Sequence, residues 1–315
     1  MPFIRNIIQV VYSQYYHRVY VILQDCTQTD IDNIRREILT MKQNISTIQP
    51  YIDITFKGIP ERELTSPCSM HIYDACAKNL NDVSVPDTLS VIPSAGCVWI
   101  IAYNSPAQSR FICIGSQSEK MGVDISGYDN YFIAVFDDDA VYFNKGAADT
   151  LTPAAIADRI IDFKPDETCP EYDFLTRIAD INNFDDKCKA FKEYLSSSKR
   201  RYVFSKDMSD MRSIILKADG DCTVNTLSEI TGYSCRHINR LFNASYGFGP
   251  KDLCKRLRFQ HALKEIFTDC NRQNSEFIQN IDYSDQAHFQ REFKSFMGET
   301  PKQFIRKIQS SASKS

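Results

Sequence analysis

The sequence of 315 residues predicts an α+β protein, with a mixed α/β region over residues 1–198 and an all-α region over 199–315. The first region divides into candidate subdomains at 1–80 and 81–198. Three observations carry this reading. The length exceeds what one core usually spans, so two domains are expected. Residues 1–198 hold 17 basic and 27 acidic residues, net −10, and residues 199–315 hold 20 and 13, net +7. Strand-like alternation also marks the first region, whereas a 3.6-residue apolar period marks the second.

In the acidic region, residues 6–12 and 18–24 are rich in β-branched and aromatic residues and are read as strands. Ile31, Ile34, Ile38 and Met41 recur at helical spacing, and 51–56 reads as a further strand, which makes a β-α-β outline. A second group follows, with strands near 97–103, 110–115 and 131–136 and helices near 153–161, 171–181 and 185–195. The run Asp137-Asp138-Asp139 reads as a turn with solvated carboxylates. A pocket, if one exists, would be sought around Trp99, Tyr103, Tyr128 and Phe132, although aromatics in strands more often form core.

Composition narrows the function. Hydrophobic residues at 43% and charged residues at 24% fit a globular chain and exclude disordered, collagen-like and membrane-embedded classes. The apolar run from Val98 to Ala102 falls far short of the roughly 20 residues that a bilayer span needs, so neither anchor nor signal peptide is expected. Eleven cysteines without a C-x-x-C point to a cytoplasmic thiol environment, and the five isolated histidines give no metal or cofactor site. His237 and His261 are accordingly read as structural.

The basic region carries a repeat. At an offset of 51 residues, Arg240-Leu241-Phe242 superposes on Arg291-Glu292-Phe293, Gly247 on Gly298, and Pro250-Lys251 on Pro301-Lys302. Both copies read R-x-F-x4-G-x2-P-K, so one helical unit occurs twice. In the first copy, Thr223 caps a short helix that stops at Gly232, and Ser234 caps a second helix. That helix sets Ile238, Leu241 and Phe242 on one face and Arg236, Asn239, Arg240 and Asn243 on the other. Two short helices joined by a tight turn form a helix-turn-helix. The second copy has Phe277, Ile278 and Ile281, then Ser284 as cap, then Phe289, Phe293 and Phe296 as the apolar back.

A linker is expected near 196–206. Between the two copies, Pro250 opens an amphipathic helix through about Phe267, with Leu253, Leu257, Ala262, Leu263 and Ile266 inward and Lys255, Arg256 and Arg258 outward. Its length of about 27 Å would suit two reading heads set about 34 Å, or one DNA turn, apart.

These features, with Gly232-Tyr233-Ser234 before the first reading helix and the stretch from Tyr283 to Pro301 closing the second, resemble the DNA-binding domain of the AraC/XylS family of bacterial transcription regulators. The resemblance covers about 205–307. Asp282 stands where the family commonly has Gly. The resemblance implies base contacts from Arg236, Asn239 and Arg240 in the first unit and from Gln286 and Arg291 in the second, with Gln290 and His288 as further candidates. Arg can grip G O6 and N7, and Gln or Asn can grip A N6 and N7. Phosphate contacts are expected from the capped helix starts at Ser234 and Ser284 and from Lys251, Lys294 and Lys302. Residues Ile92 to Val98, and the strand region from Phe132 to Phe143, are similar in part to the sensor region of some members.

The implied function is sequence-specific binding of double-stranded DNA by a transcription regulator, modulated by a signal sensed in the N-terminal half. RNA polymerase, a small-molecule effector and a second copy of the chain are candidate partners, and no membrane is. No catalytic residue is expected. One alternative is a DNA-repair or other enzyme fused to the same DNA-binding module, which would need closely spaced cysteines, and Cys68 and Cys76 are the nearest pair. Another is an architectural DNA-bending protein without an effector.

Overall fold

A computed structural model describes residues 47–55, 61–64, 70–76, 85–137, 143–146, 149–164, 172–197, 204–271 and 286–312. The strands expected at 6–12 and 18–24, and the helix expected from Asp30 to Ile45, lie outside these residues. So do Cys68 and most of the 196–206 linker. The described residues form two compact units, one comprising 204–261 and the other comprising 47–197 with 262–312.

The larger unit is organised around a six-stranded antiparallel sheet in the order β1 (Glu61–Leu64), β2 (Met70–Cys76), β7 (Asn130–Phe136), β4 (Val98–Ser105), β5 (Gln108–Ile114) and β10 (Ile160–Phe163). Side chains alternate faces along a strand, so β4 serves two cores. Trp99, Ile101 and Tyr103 join Phe111, Phe132 and Phe136 under helices α3 (Tyr172–Asp180) and α4 (Phe184–Ser197). Val98, Ile100 and Ala102 face the other way, toward the ribbon of β3 (Thr88–Val91) with β6 (Met121–Asp124) and toward helix α1 (Pro50–Thr55).

Because both sheet faces are covered, β4 reads as an unbroken apolar run rather than an alternating one. Trp99 fills the first core, meeting the rings of Phe136 at 5.1 Å, Phe111 at 5.5 Å and Phe191 at 6.1 Å edge-on. Lys187 ties α4 to the sheet. Its buried ammonium donates to both carboxylate oxygens of Asp74, at 2.6 and 2.9 Å, and to the Tyr103 hydroxyl at 2.7 Å. Burial alone would lower its pKa, but these two partners outweigh it and hold the pKa above the ordinary value.

Four expectations are corrected. Residues 50–55 form a helical turn, not a strand: Pro50 has the preset φ of a first helical residue, and Ile52 and Asp53 donate to Gln49 O. The helix expected over 153–161 is α2 (Pro153–Ile156), which stops after one turn as Asp158 takes φ 54° and the chain turns into β10. A short hairpin, β8 (Phe143–Gly146) with β9 (Asp149–Leu151), precedes it. Asp137 is buried, because it accepts from Thr47 N at 2.7 Å; Asp138 and Asp139 lie outside the described residues. Finally, Trp99, Tyr103 and Phe132 are packed into the first core while Tyr128 packs against the second, so these four aromatics do not line a common pocket.

The smaller unit contains α5 (Lys206–Lys217), α6 (Val224–Thr231), α7 (Cys235–Tyr246) and the first half of α8 (Pro250–Asn271). Ser205 caps α5 by accepting from Met208 N, and Met208, Met211, Ile214 and Ile215 face inward. Helices α9 (Gln286–Met297) and α10 (Pro301–Ala312) belong to the larger unit. No described helix is long and apolar enough to cross a membrane.

Candidate nucleic-acid interface

The first reading unit is built by its caps. Thr223 Oγ1 accepts from Thr226 N at 3.0 Å and starts α6. Gly232, at φ 76°, ends it in the left-handed region where a side chain would be strained. Ser228 Oγ then donates to Tyr233 O at 2.6 Å, closing the turn, and Ser234 Oγ accepts from His237 N to start α7. Both expected caps and the expected stop are present.

On α7, Ile238, Phe242 and Tyr246 are buried while Arg236, Asn239, Arg240 and Asn243 are exposed. The polar row is ordered along the helix. Asn239 Nδ2 donates to Cys235 O, and Asn243 Nδ2 to Asn239 O, each at 2.8 Å. Each amide thus spends one of its two N–H hydrogens on a carbonyl of its own helix. Arg240 Nη2 lies 3.2 Å from His237 Nδ1, a contact that the sequence reading passed over although i and i+3 are neighbours on a helix.

Lys251 is exposed in the first turn of α8. Arg256, expected outward, is buried, with its guanidinium 3.9 Å from the centroid of the Phe248 ring. Aromatic stacking suits a flat, weakly hydrated cation, and periodicity alone cannot reveal it. Arg258 is also turned in, its Nη1 donating to Gly220 O at 2.8 Å.

In the second unit, Phe289, Phe293, Phe296 and Met297 are buried, and Phe293 meets Phe304 of α10 at 5.8 Å. Gln290, Arg291, Lys294 and Lys302 are exposed, as is His288, whose Nε2 lies 4.0 Å from Glu292. Gln286 opens α9, but its side chain, together with Ser284, Phe277, Ile278, Ile281 and Asp282, lies outside the described residues. Gly298, at φ 72°, ends α9, and Thr300 with Gln303 forms a capping box on α10: Gln303 N donates to Thr300 Oγ1 and Thr300 N to Gln303 Oε1.

This second unit rests on the sheet region. Lys120 N donates to Phe296 O at 3.0 Å. The Tyr51 ring lies edge-on to Phe304 at 6.2 Å, its hydroxyl donates to Glu299 Oε1, and the Lys120 ammonium stands 5.4 Å from its centroid. Lys307 Nζ completes the shell of the buried Glu299 at 2.7 Å. No sequence signal marks the contacts of Phe296, Glu299 and Phe304 with Lys120 and Tyr51, because these partners are some 180 to 250 residues apart.

Residues 227–307 match the family model of a helix-turn-helix domain. Two uncharacterized HTH-type transcriptional regulators of Staphylococcus aureus, from strains MSSA476 and N315, are 33% identical over 90 residues, which is 27% of this chain. The chain spans only 11% of the length of these relatives. Among solved structures, apo ToxT of Vibrio cholerae aligns with a TM-score of 0.41 at 11% identity, covering 78% of this chain and 98% of that one. ToxT bound to an unsaturated fatty acid aligns with a TM-score of 0.36 at 12% identity, covering 75% and 94%.

Proposed function

We propose, from the AraC-type helix-turn-helix domain that the C-terminal region carries, that the whole chain is a sequence-specific DNA-binding transcription regulator. The observation that supports this most directly is the row Arg236, Asn239, Arg240 and Asn243, exposed along one side of a capped helix whose other side is buried. A helix presents such a row to base edges when it lies in a major groove. Gln290 and Arg291 offer a second row on α9, with Gln286 at its start, and Ser234, Ser284, Lys251, Lys294 and Lys302 supply the phosphate contacts of the proposal.

The sheet region is proposed to receive the signal. A small-molecule effector, RNA polymerase and a second copy of the chain are the further partners of this reading, and the domains are taken as 1–198 and 199–315. Selection of bound duplexes from random DNA by the full-length protein tests it. Enrichment of one motif is expected, and binding that stays uniform across sequences would contradict it in favour of an architectural role.

A further inference from the structure

We propose that His237 is a positioning residue for Arg240, holding that guanidinium in the pose from which it reads a base. The inference rests on the proposed reading role of Arg240. Three side chains stand in a row across the start of the first reading helix. The Tyr233 ring, just before the cap, lies against the His237 imidazole with centroids 4.9 Å apart and planes 32° from parallel. His237 Nδ1 is 3.2 Å from Arg240 Nη2. A guanidinium has no acceptor, so Nδ1 must accept, which assigns the imidazole proton to Nε2. The backbone joins in, since His237 N donates to the Ser234 cap.

The arrangement leaves the reading edge free. Nη2 carries two hydrogens, and one directed at His237 leaves the other, together with Nη1, for a pair of acceptors such as G O6 and N7. An exposed arginine otherwise samples many rotamers and must surrender that freedom on binding. Asn239 and Asn243 are tied to helix carbonyls instead, so Arg240 is the base-reading candidate on this helix whose bond to a neighbouring side chain leaves donors over.

The test uses the full-length protein and a duplex recovered by selection from random DNA, with single-base variants of it. Arg240→Ala first identifies the base pair at which discrimination is lost. His237→Ala is then expected to weaken binding of the selected duplex about three- to tenfold, with little effect on the duplex altered at that base pair. His237→Asn, whose Oδ1 can stand in for Nδ1 as acceptor, is expected to restore binding to within about twofold. In the Arg240→Ala background, His237→Ala is expected to change nothing further. Equal weakening on every duplex, failure of His237→Asn to rescue, or multiplication of the two single effects would overturn the positioning role. If Arg240→Ala itself shows no base dependence, the reading role of Arg240 fails and the inference falls with it, an outcome distinct from failure of His237 alone.

Discussion

The Tyr51 hydroxyl donates to Glu299 Oε1 across 2.6 Å, joining the first described helix to the turn that follows the second reading helix. Burial, and then the adjacent Glu299 carboxylate, hold the phenol well above its usual range, so it remains a neutral donor. Tyr51→Phe keeps the ring against Phe304 and removes only the donor. Because Glu299 keeps Lys307, the expected loss is about 1–2 kcal/mol of stability, read as a lower denaturant midpoint of the full chain. The sign follows from the raised pKa: the contribution is complete below the unfolded value near pH 10 and is lost as pH climbs through the folded one. A midpoint unchanged by the substitution would remove the bond from the account.

Arg240→Ala and Arg291→Ala are each expected to cost about 1–3 kcal/mol at one base position, whereas Lys294→Ala weakens every sequence alike and reduces the salt slope by about one. Titrations of single-base duplex variants at several salt concentrations separate the two kinds of contact. The same loss on all sequences for Arg291→Ala would move that residue to the phosphate group.

Two glycines with nearly equal φ should respond differently to alanine. At Gly232 an alanine Cβ would meet nothing within 4 Å, so only the left-handed strain applies, about 1 kcal/mol. At Gly220 the Cβ would sit 2.3 Å from Cys254 O, a backbone atom within helix α8, and the bond from Arg258 to Gly220 O holds this turn against that helix. Gly220→Ala should therefore cost at least about 2 kcal/mol. Thermal or urea unfolding of the two variants decides the ranking, and equal costs would contradict the close approach of α8.

Burial pushes the Cys188 thiol up to about 11 and the Cys254 thiol up to about 12. The folded state thus keeps protons that the unfolded state releases above about pH 8.5, and stability from these groups declines as pH rises beyond that value. Brief alkylation at pH 8.5, followed by peptide mass spectrometry, should leave both residues unlabelled in native protein and labelled in urea. Labelling at equal rates in both conditions would mean that these thiols are accessible.

The legible parts of the molecule are those specified by neighbours in the chain. Thr223, Gly232 and Ser234 act within three or four residues, so caps, turn and the exposed face of α7 could be read directly from their spacing. The burial of Ile238 and Phe242, and of Phe289 and Phe293, follows from the same period. What periodicity cannot supply is a partner from elsewhere. Arg256 is polar by type yet covers the Phe248 ring, Asp137 is acidic yet satisfies Thr47 N, and residues 51–56 read as a strand although Pro50 starts a helical turn there. The sheet order is equally hidden, since β7 lies between β2 and β4 through pairings made over long separations.

The bond from Lys120 N to Phe296 O runs from main chain to main chain. Its strength is therefore indifferent to which side chains occupy the two positions, and drift at either site leaves it standing. It is vulnerable only to a residue that lacks an amide hydrogen or to a change in the number of residues leading up to it. Apart from a proline at position 120, it is insertions and deletions before Lys120, rather than replacements, that would break this one tie, whereas the Tyr51 contacts beside it depend on their side chains.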